Sequence, residues 1–175
     1  MVIIEGCDNS GKSTLARKLN LEFNLKIIKS SGPPISKEDL VQRVEASIEN
    51  TKRGNIFIYD RYPLISEFVY GPLLRNKNLL EGEEGNRLWK ELILINPFIV
   101  YCRPPYTKIA DFGKRKQMRG VRSKADLLIV AYDNFMNRIG GSTDVYFYNY
   151  MDNKDLEIYI KIREYLKGVG YRWSI

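Results

Sequence analysis

Short unbroken apolar runs are spaced along the chain, with amphipathic stretches between them. Val2-Ile3-Ile4 opens the series, and residues 25–28, 56–59 and 98–102 repeat the pattern. Runs this short and this apolar read as strands covered on both faces. Residues 144–149 supply a fifth. The intervening segments carry apolar residues at helical spacing. They are Leu15, Leu19 and Phe23 within residues 12–23; Leu40, Val41, Val44 and Ile48 after Ser36; and Ala125, Leu128, Ile129, Tyr132, Phe135, Met136 and Ile139 after Ser123. Ser36 with Asp39, and Ser123 with Asp126, have the spacing of a helix-capping box. Gly54 and Gly140-Gly141 stand where those helices should stop. Further helices are expected over residues 64–70, 83–95 and 153–167, with a loop at 71–82 that holds Gly71, Pro72 and Asn76. Strands alternating with helices predict a single α/β domain, residues 1–175, with a parallel sheet and helices on both of its faces.

The first strand runs straight into Gly6-Cys7-Asp8-Asn9-Ser10-Gly11-Lys12-Ser13-Thr14, and a helix follows. This is GxxxxGK[ST], the phosphate-binding P-loop, in the strand–loop–helix setting that the motif requires. The glycines let the backbone turn tightly and bring its N–H groups to an anion, with the helix N-terminus behind them. Gly6, Asn9, Ser10, Gly11, Lys12, Ser13 and Thr14 are the expected ATP-binding set. Lys12 would reach the β- and γ-phosphates, and Ser13 would ligand Mg²⁺. A chance match is the competing explanation, and the flanking strand and helix weigh against it.

Composition narrows the chemistry. The chain has 175 residues, 44% of them hydrophobic, which suits one domain with a real core. No stretch has the apolar length of a membrane span. The P-loop begins at Gly6 and leaves no room for a signal peptide, so a cytoplasmic protein is expected. Cys7 and Cys102 do not suggest a disulfide framework; Cys7 is either a reactive thiol or a variable loop position. There is no histidine, which removes His-dependent triads and His-ligated metals. Phosphoryl transfer survives, because it depends on positioning and on Arg, Lys, Mg²⁺ and carboxylates.

The net charge is +7, and residues 103–124 account for all of it, with eight basic residues against Asp111 alone. A general nucleic-acid surface is more often broad, so this is one local device. Its centre, residues 113–122, has the make-up of a basic lid that brings Arg115, Arg119 and Arg122 to a transferring phosphoryl group. A solvated loop and a nucleic-acid contact are the alternatives. Asp60-Arg61 ends the third strand, where ligands of open α/β sheets bind. Asp60 could hold Mg²⁺ through water and Arg61 could grip a second phosphate, or the two could form a structural ion pair. Asp8 could serve a sugar hydroxyl or brace its own loop.

The P-loop together with Asp60-Arg61-Tyr62 resembles the thymidylate kinases, and more loosely the small thymidylate-kinase-like proteins of bacteriophages. The resemblance implies a P-loop kinase fold with a five-stranded parallel sheet and a basic lid. It implies transfer of the ATP γ-phosphoryl group, with Mg²⁺, to a deoxynucleoside monophosphate, dTMP foremost, for dNTP synthesis. A phage protein would act in the host cytoplasm. Asp8 would then bind the acceptor's 3′-hydroxyl and Arg61 its phosphate, with Tyr70, Arg75 and Arg103 as further substrate contacts. The partners would be small nucleotides, with a homodimer as the family's habit and neither membrane nor nucleic acid implied. The chain departs from the family in having Tyr70-Gly71-Pro72 for a Tyr-Gln-Gly stretch, and no arginine in the loop after the second strand. A deoxynucleoside kinase and a non-catalytic nucleotide-binding module are the competing functions. The kinase of nucleosides would need a carboxylate beside the 5′-hydroxyl, and none stands at the end of the second strand.

Overall fold

The computed structural model describes residues 1–111, 119–152 and 155–171. Five parallel strands form one sheet in the order β2-β3-β1-β4-β5: β1 (Val2–Glu5), β2 (Ile27–Lys29), β3 (Ile58–Asp60), β4 (Phe98–Cys102) and β5 (Val145–Tyr148). Helices α1 (Lys12–Phe23), α2 (Lys37–Lys52), α3 (Pro63–Arg75), α4 (Glu83–Leu94), α5 (Tyr106–Ala110), α6 (Ala125–Ile139) and α7 (Asp155–Gly168) connect and cover it. Among the described residues no helix is long and apolar enough to cross a membrane.

Successive strand side chains point to opposite faces, and this alternation splits the core in two. Val2, Ile4, Phe98, Val100 and Cys102 pack against Leu15, Leu19 and Phe23 of α1 and Ile158, Ile162 and Leu166 of α7. Ile3, Tyr59, Ile99 and Tyr101 face the other way, onto α2, α3, α4 and α6. The apolar positions read on α6 are those the fold buries, so the helical period alone located that face. Ser36 caps α2 as expected, accepting a hydrogen bond from the Asp39 amide, and the Asp39 carboxylate accepts from the Ile35 amide in return.

Three expectations are corrected. Ser123 does not cap α6: Lys124 holds the N-cap position without a side-chain bond, and the Ser123 hydroxyl donates to the Gly120 carbonyl. The second and third strands lie one or two residues later than the apolar runs, because the ladders of β3 with β1 and of β2 with β3 set their bounds. The third correction bears on the site. Helix α3 does not stop at Tyr70 but runs through Gly71-Pro72 to Arg75. An interior proline costs a helix about 3 kcal/mol. Here packing offsets it, with Val69 and Tyr70 buried and Leu73 and Leu74 against the same core. Gly71 allows the close fit, since a Cβ there would lie 2.6 Å from the Glu67 carboxylate and 3.0 Å from the Lys77 carbonyl.

Candidate active site

Parallel register builds the site. Ile4 pairs with Asp60 across β1 and β3, so the P-loop and Arg61 leave the sheet side by side, at its carboxyl edge. Gly6 has φ 139° and Gly11 φ 88°, both outside the range that other residues adopt readily. At Gly6 there is also no room, because a Cβ would sit 2.5 Å from the Cys102 carbonyl oxygen. Lys12 is buried, and its Nζ donates to the Cys7 carbonyl and, at 3.4 Å, to Ser10 Oγ. Burial drives its pKa down to about 8, and the Arg61 charge adds to the effect. Cys7 is not a reactive thiol: it is buried, and burial pushes its pKa up to about 12.

Ser13 Oγ donates to Asp60 Oδ2 at 2.6 Å. The pair therefore sets two oxygen ligands beside each other at the foot of α1. That donor set suits a hard divalent ion that keeps water and substrate phosphate among its ligands. Among the described residues no cluster of three or more His, Cys, Asp or Glu could cage a metal by protein ligands alone.

Arg61 is the hub of the second half. Its backbone has φ 71°, a left-handed conformation that costs a non-glycine residue about 1–3 kcal/mol and collects at functional sites. Glu5 holds that turn in place. Its fully buried carboxylate accepts from the Tyr62 amide at 2.6 Å and the Tyr132 hydroxyl at 2.9 Å, while the Arg61 amide bonds the Ile4 carbonyl at 3.0 Å. Burial raises the pKa of Glu5, and Arg61 opposes the rise. The Arg61 guanidinium then meets Asp8 in an ion pair, and donates to the hydroxyls of Tyr70 at 2.8 Å and Tyr132 at 3.3 Å.

Two cavities meet at this pair. One, of about 540 Å³, is lined by Gly11, Lys12, Ser13, Thr14, Arg17, Lys29 and Asp60. The other, of about 800 Å³, is lined by Pro33, Pro34, Ser66, Glu67, Tyr70, Leu74, Arg75, Arg119 and Lys124. Asp8, Asn9, Ser30 and Arg61 line both. Most expected site residues are thus brought together: Lys12, Ser13, Thr14 and Asp60 in the first lobe, Tyr70, Arg75 and Arg119 in the second, Asp8 and Arg61 at the neck. Ser10 is buried under the loop and Asn9 ties it to α5, donating to the carbonyls of Ile109 and Asp111. Arg103 lines neither lobe. Its guanidinium forks onto Asp133 at 2.8 and 3.0 Å. Arg122 is exposed and also lines neither lobe, and Arg115 lies outside the described residues, as do residues 113–118 of the expected lid.

Sequence reasoning missed Glu5, Glu67, Lys124, Arg17 and Lys29. Glu5 had a signal, a charged residue ending an apolar strand directly before the P-loop. Lys124 had one too, its place in the basic window, whereas Glu67 had none, because it sits at an ordinary helix position whose neighbours only the tertiary fold supplies.

No protein-family model matches the chain, and no curated protein matches it. Solved structures do. The YorR protein from Bacillus subtilis, in complex with phosphorylated GDP, aligns with a TM-score of 0.72 at 21% identity, covering 98% of this chain and 99% of that one. Deoxyadenosine kinase from M. mycoides aligns at 0.62 and 15% identity, over 93% of this chain and 98% of that one. Thymidylate kinase from Candida albicans aligns at 0.55 and 16% identity, over 96% and 92%. At these identities the likeness is one of fold: the chain has the α/β architecture of P-loop kinases.

Proposed function

We propose that this protein is an ATP-dependent kinase of deoxynucleoside monophosphates. The observation that carries the reading is the pair of lobes joined at Asp8 and Arg61. One has the furniture of a triphosphate site, and among the described residues the other is lined by Arg61, Arg75, Arg119 and Lys124 against Asp8 and Glu67. That cationic excess suits an acceptor that is itself an anion. No carboxylate ends β2, where Lys29 and Ser30 stand, so a neutral 5′-hydroxyl would find no base there. The sequence resemblance makes dTMP the first acceptor to test.

In this reading Lys12 and the loop amides bind the donor phosphates, competing with the Cys7 carbonyl for the Lys12 ammonium. Ser13 and Asp60 would hold Mg²⁺, which would supply positive charge to the donor phosphates. Arg61, aimed by Tyr70 and Tyr132, draws the acceptor phosphate to the neck. An oxygen of that phosphate attacks the γ-phosphorus, and ADP leaves. The attacking group is largely ionised at neutral pH, as expected for a phosphate with a second pKa near ~6, so no strong general base is required. Asp8 would exchange part of its contact with Arg61 for a sugar hydroxyl, and Arg119 would meet charge from the acceptor side.

The test is ADP release from MgATP with a panel of dNMPs, nucleosides and a 5′-hydroxyl oligonucleotide, using Lys12→Ala as control. Turnover with dTMP or another dNMP, lost in the control, supports the reading. Turnover with nucleosides or the oligonucleotide alone overturns it, as does a rate no higher than the control.

A further inference from the structure

The far wall of the larger lobe carries a charged pair whose geometry bears on the acceptor base. Glu67 is buried on α3, with only 1% of its side chain exposed. One carboxylate oxygen accepts from the Leu79 amide at 2.8 Å and the other takes Nη2 of Arg75. Helical side chains lean toward the N-terminus, and this lets Arg75 reach back two turns to Glu67. The carboxylate is therefore spent on the protein and sits behind the guanidinium. Arg75 is 33% exposed and lines the lobe. Glu67 is its one hydrogen-bonding partner among the described residues, so its remaining N–H groups are available to a ligand. Pro33, Pro34, Leu74 and Tyr70 line the same lobe and give a planar ring apolar and aromatic surfaces to lie against.

We propose that Arg75, oriented by Glu67, reads the base of the acceptor nucleotide and selects guanine. A guanidinium offers donors only, in a planar fork. Guanine presents two adjacent acceptors, O6 and N7, and arginine pairs with both. In a free base, thymine's two carbonyls flank the N3–H donor and adenine sets its amine beside N7 and N1, so neither matches the fork; cytosine matches it through O2 and N3 but brings a smaller ring to the apolar wall. The order expected is guanine, then cytosine, then thymine and adenine. This rests on the monophosphate reading above and would shift its preferred acceptor from dTMP to dGMP.

Equilibrium binding of the four dNMPs, measured by calorimetry without ATP, tests base choice independently of phosphoryl transfer. The wild type should bind dGMP about tenfold or more tightly than dAMP or dTMP, with dCMP between. Arg75→Gln should move the preference toward dAMP, because a glutamine amide pairs with N6 and N7 of adenine. Arg75→Lys keeps the charge beside Glu67 but loses the fork. If Arg75 only stabilises the fold, Lys will preserve the base order and the melting temperature together. If it reads the base, Lys will keep the melting temperature and flatten the order. Equal binding of all four, or tightest binding of dTMP or dCMP, overturns the inference. Binding of no dNMP overturns both it and the kinase reading. Tight dGMP binding without turnover would sustain the inference and sink the kinase.

Discussion

Lys12 is the residue where burial and function oppose each other most directly. Its pKa is depressed to about 8 in the folded chain against 10.5 for a free lysine. Below about pH 8 the amine is charged whether the chain is folded or not, and the cost of burying it is carried in full. As pH rises above that, the folded chain releases the proton first and the cost fades until the unfolded amine also titrates. Lys12→Met should therefore stabilise the fold most near pH 7, and the gain should shrink toward pH 10, by about 3 kcal/mol at most. Melting curves of both proteins across that range check it, and a gain that grows with pH would contradict the burial argument. ATP phosphates restore the charged form, so nucleotide binding at pH 8.5 should take up protons in calorimetry. Arg61 poses the complementary test. Arg61→Ala should lower the rate with a dNMP about 10²–10³-fold, the scale of losing one charge-stabilising donor, while the melting shift caused by ATP survives. Loss of both would mean that Arg61 shapes the P-loop rather than the acceptor phosphate.

At the scale of elements, α3 is where the sequence and the fold disagree most usefully. Gly71-Pro72 is a helix-breaking dipeptide by local chemistry, yet the helix crosses it. Its continuation carries Leu74 and Arg75 to the acceptor lobe. Gly71 packs under the Glu67 carboxylate, and a methyl group there must displace it or the Lys77 carbonyl. Gly71→Ala should cost about 1–3 kcal/mol in urea denaturation, even though alanine is the better helix former. A neutral or stabilising result would show that the Glu67–Arg75 pair has slack. The arginine turn after β3 follows the same logic. Its strained φ is held because Glu5, Ile4 and Tyr132 fix it from three sides.

Across the whole molecule, the two lobes share four residues at one neck. A ligand that joins ATP to an acceptor nucleotide should gain from both without a second association cost. Such a bisubstrate analogue should raise the melting temperature more than ATP and dNMP added together at equal concentration. A shift no greater than ATP's own would mean that the second lobe does not accept a nucleotide. The charge bias extends the same design, since the cations of the second lobe include Arg119 and Lys124 from the basic window.

The P-loop, the strand–helix alternation and the inward face of α6 were legible in the sequence, because each depends on local spacing or backbone chemistry. Asp60 and Arg61 were legible through their position at a strand end. What the sequence could not decide was contact between distant segments. Asp8 and Arg61 are far apart in the chain and meet only through parallel register. Arg103, expected as a substrate contact, is paired with Asp133. Glu67 and Arg75 become a pair only because packing carries a helix through a proline. Period and motif belong to the chain, but the partner of a charge belongs to the fold, since it depends on which segments the core brings together.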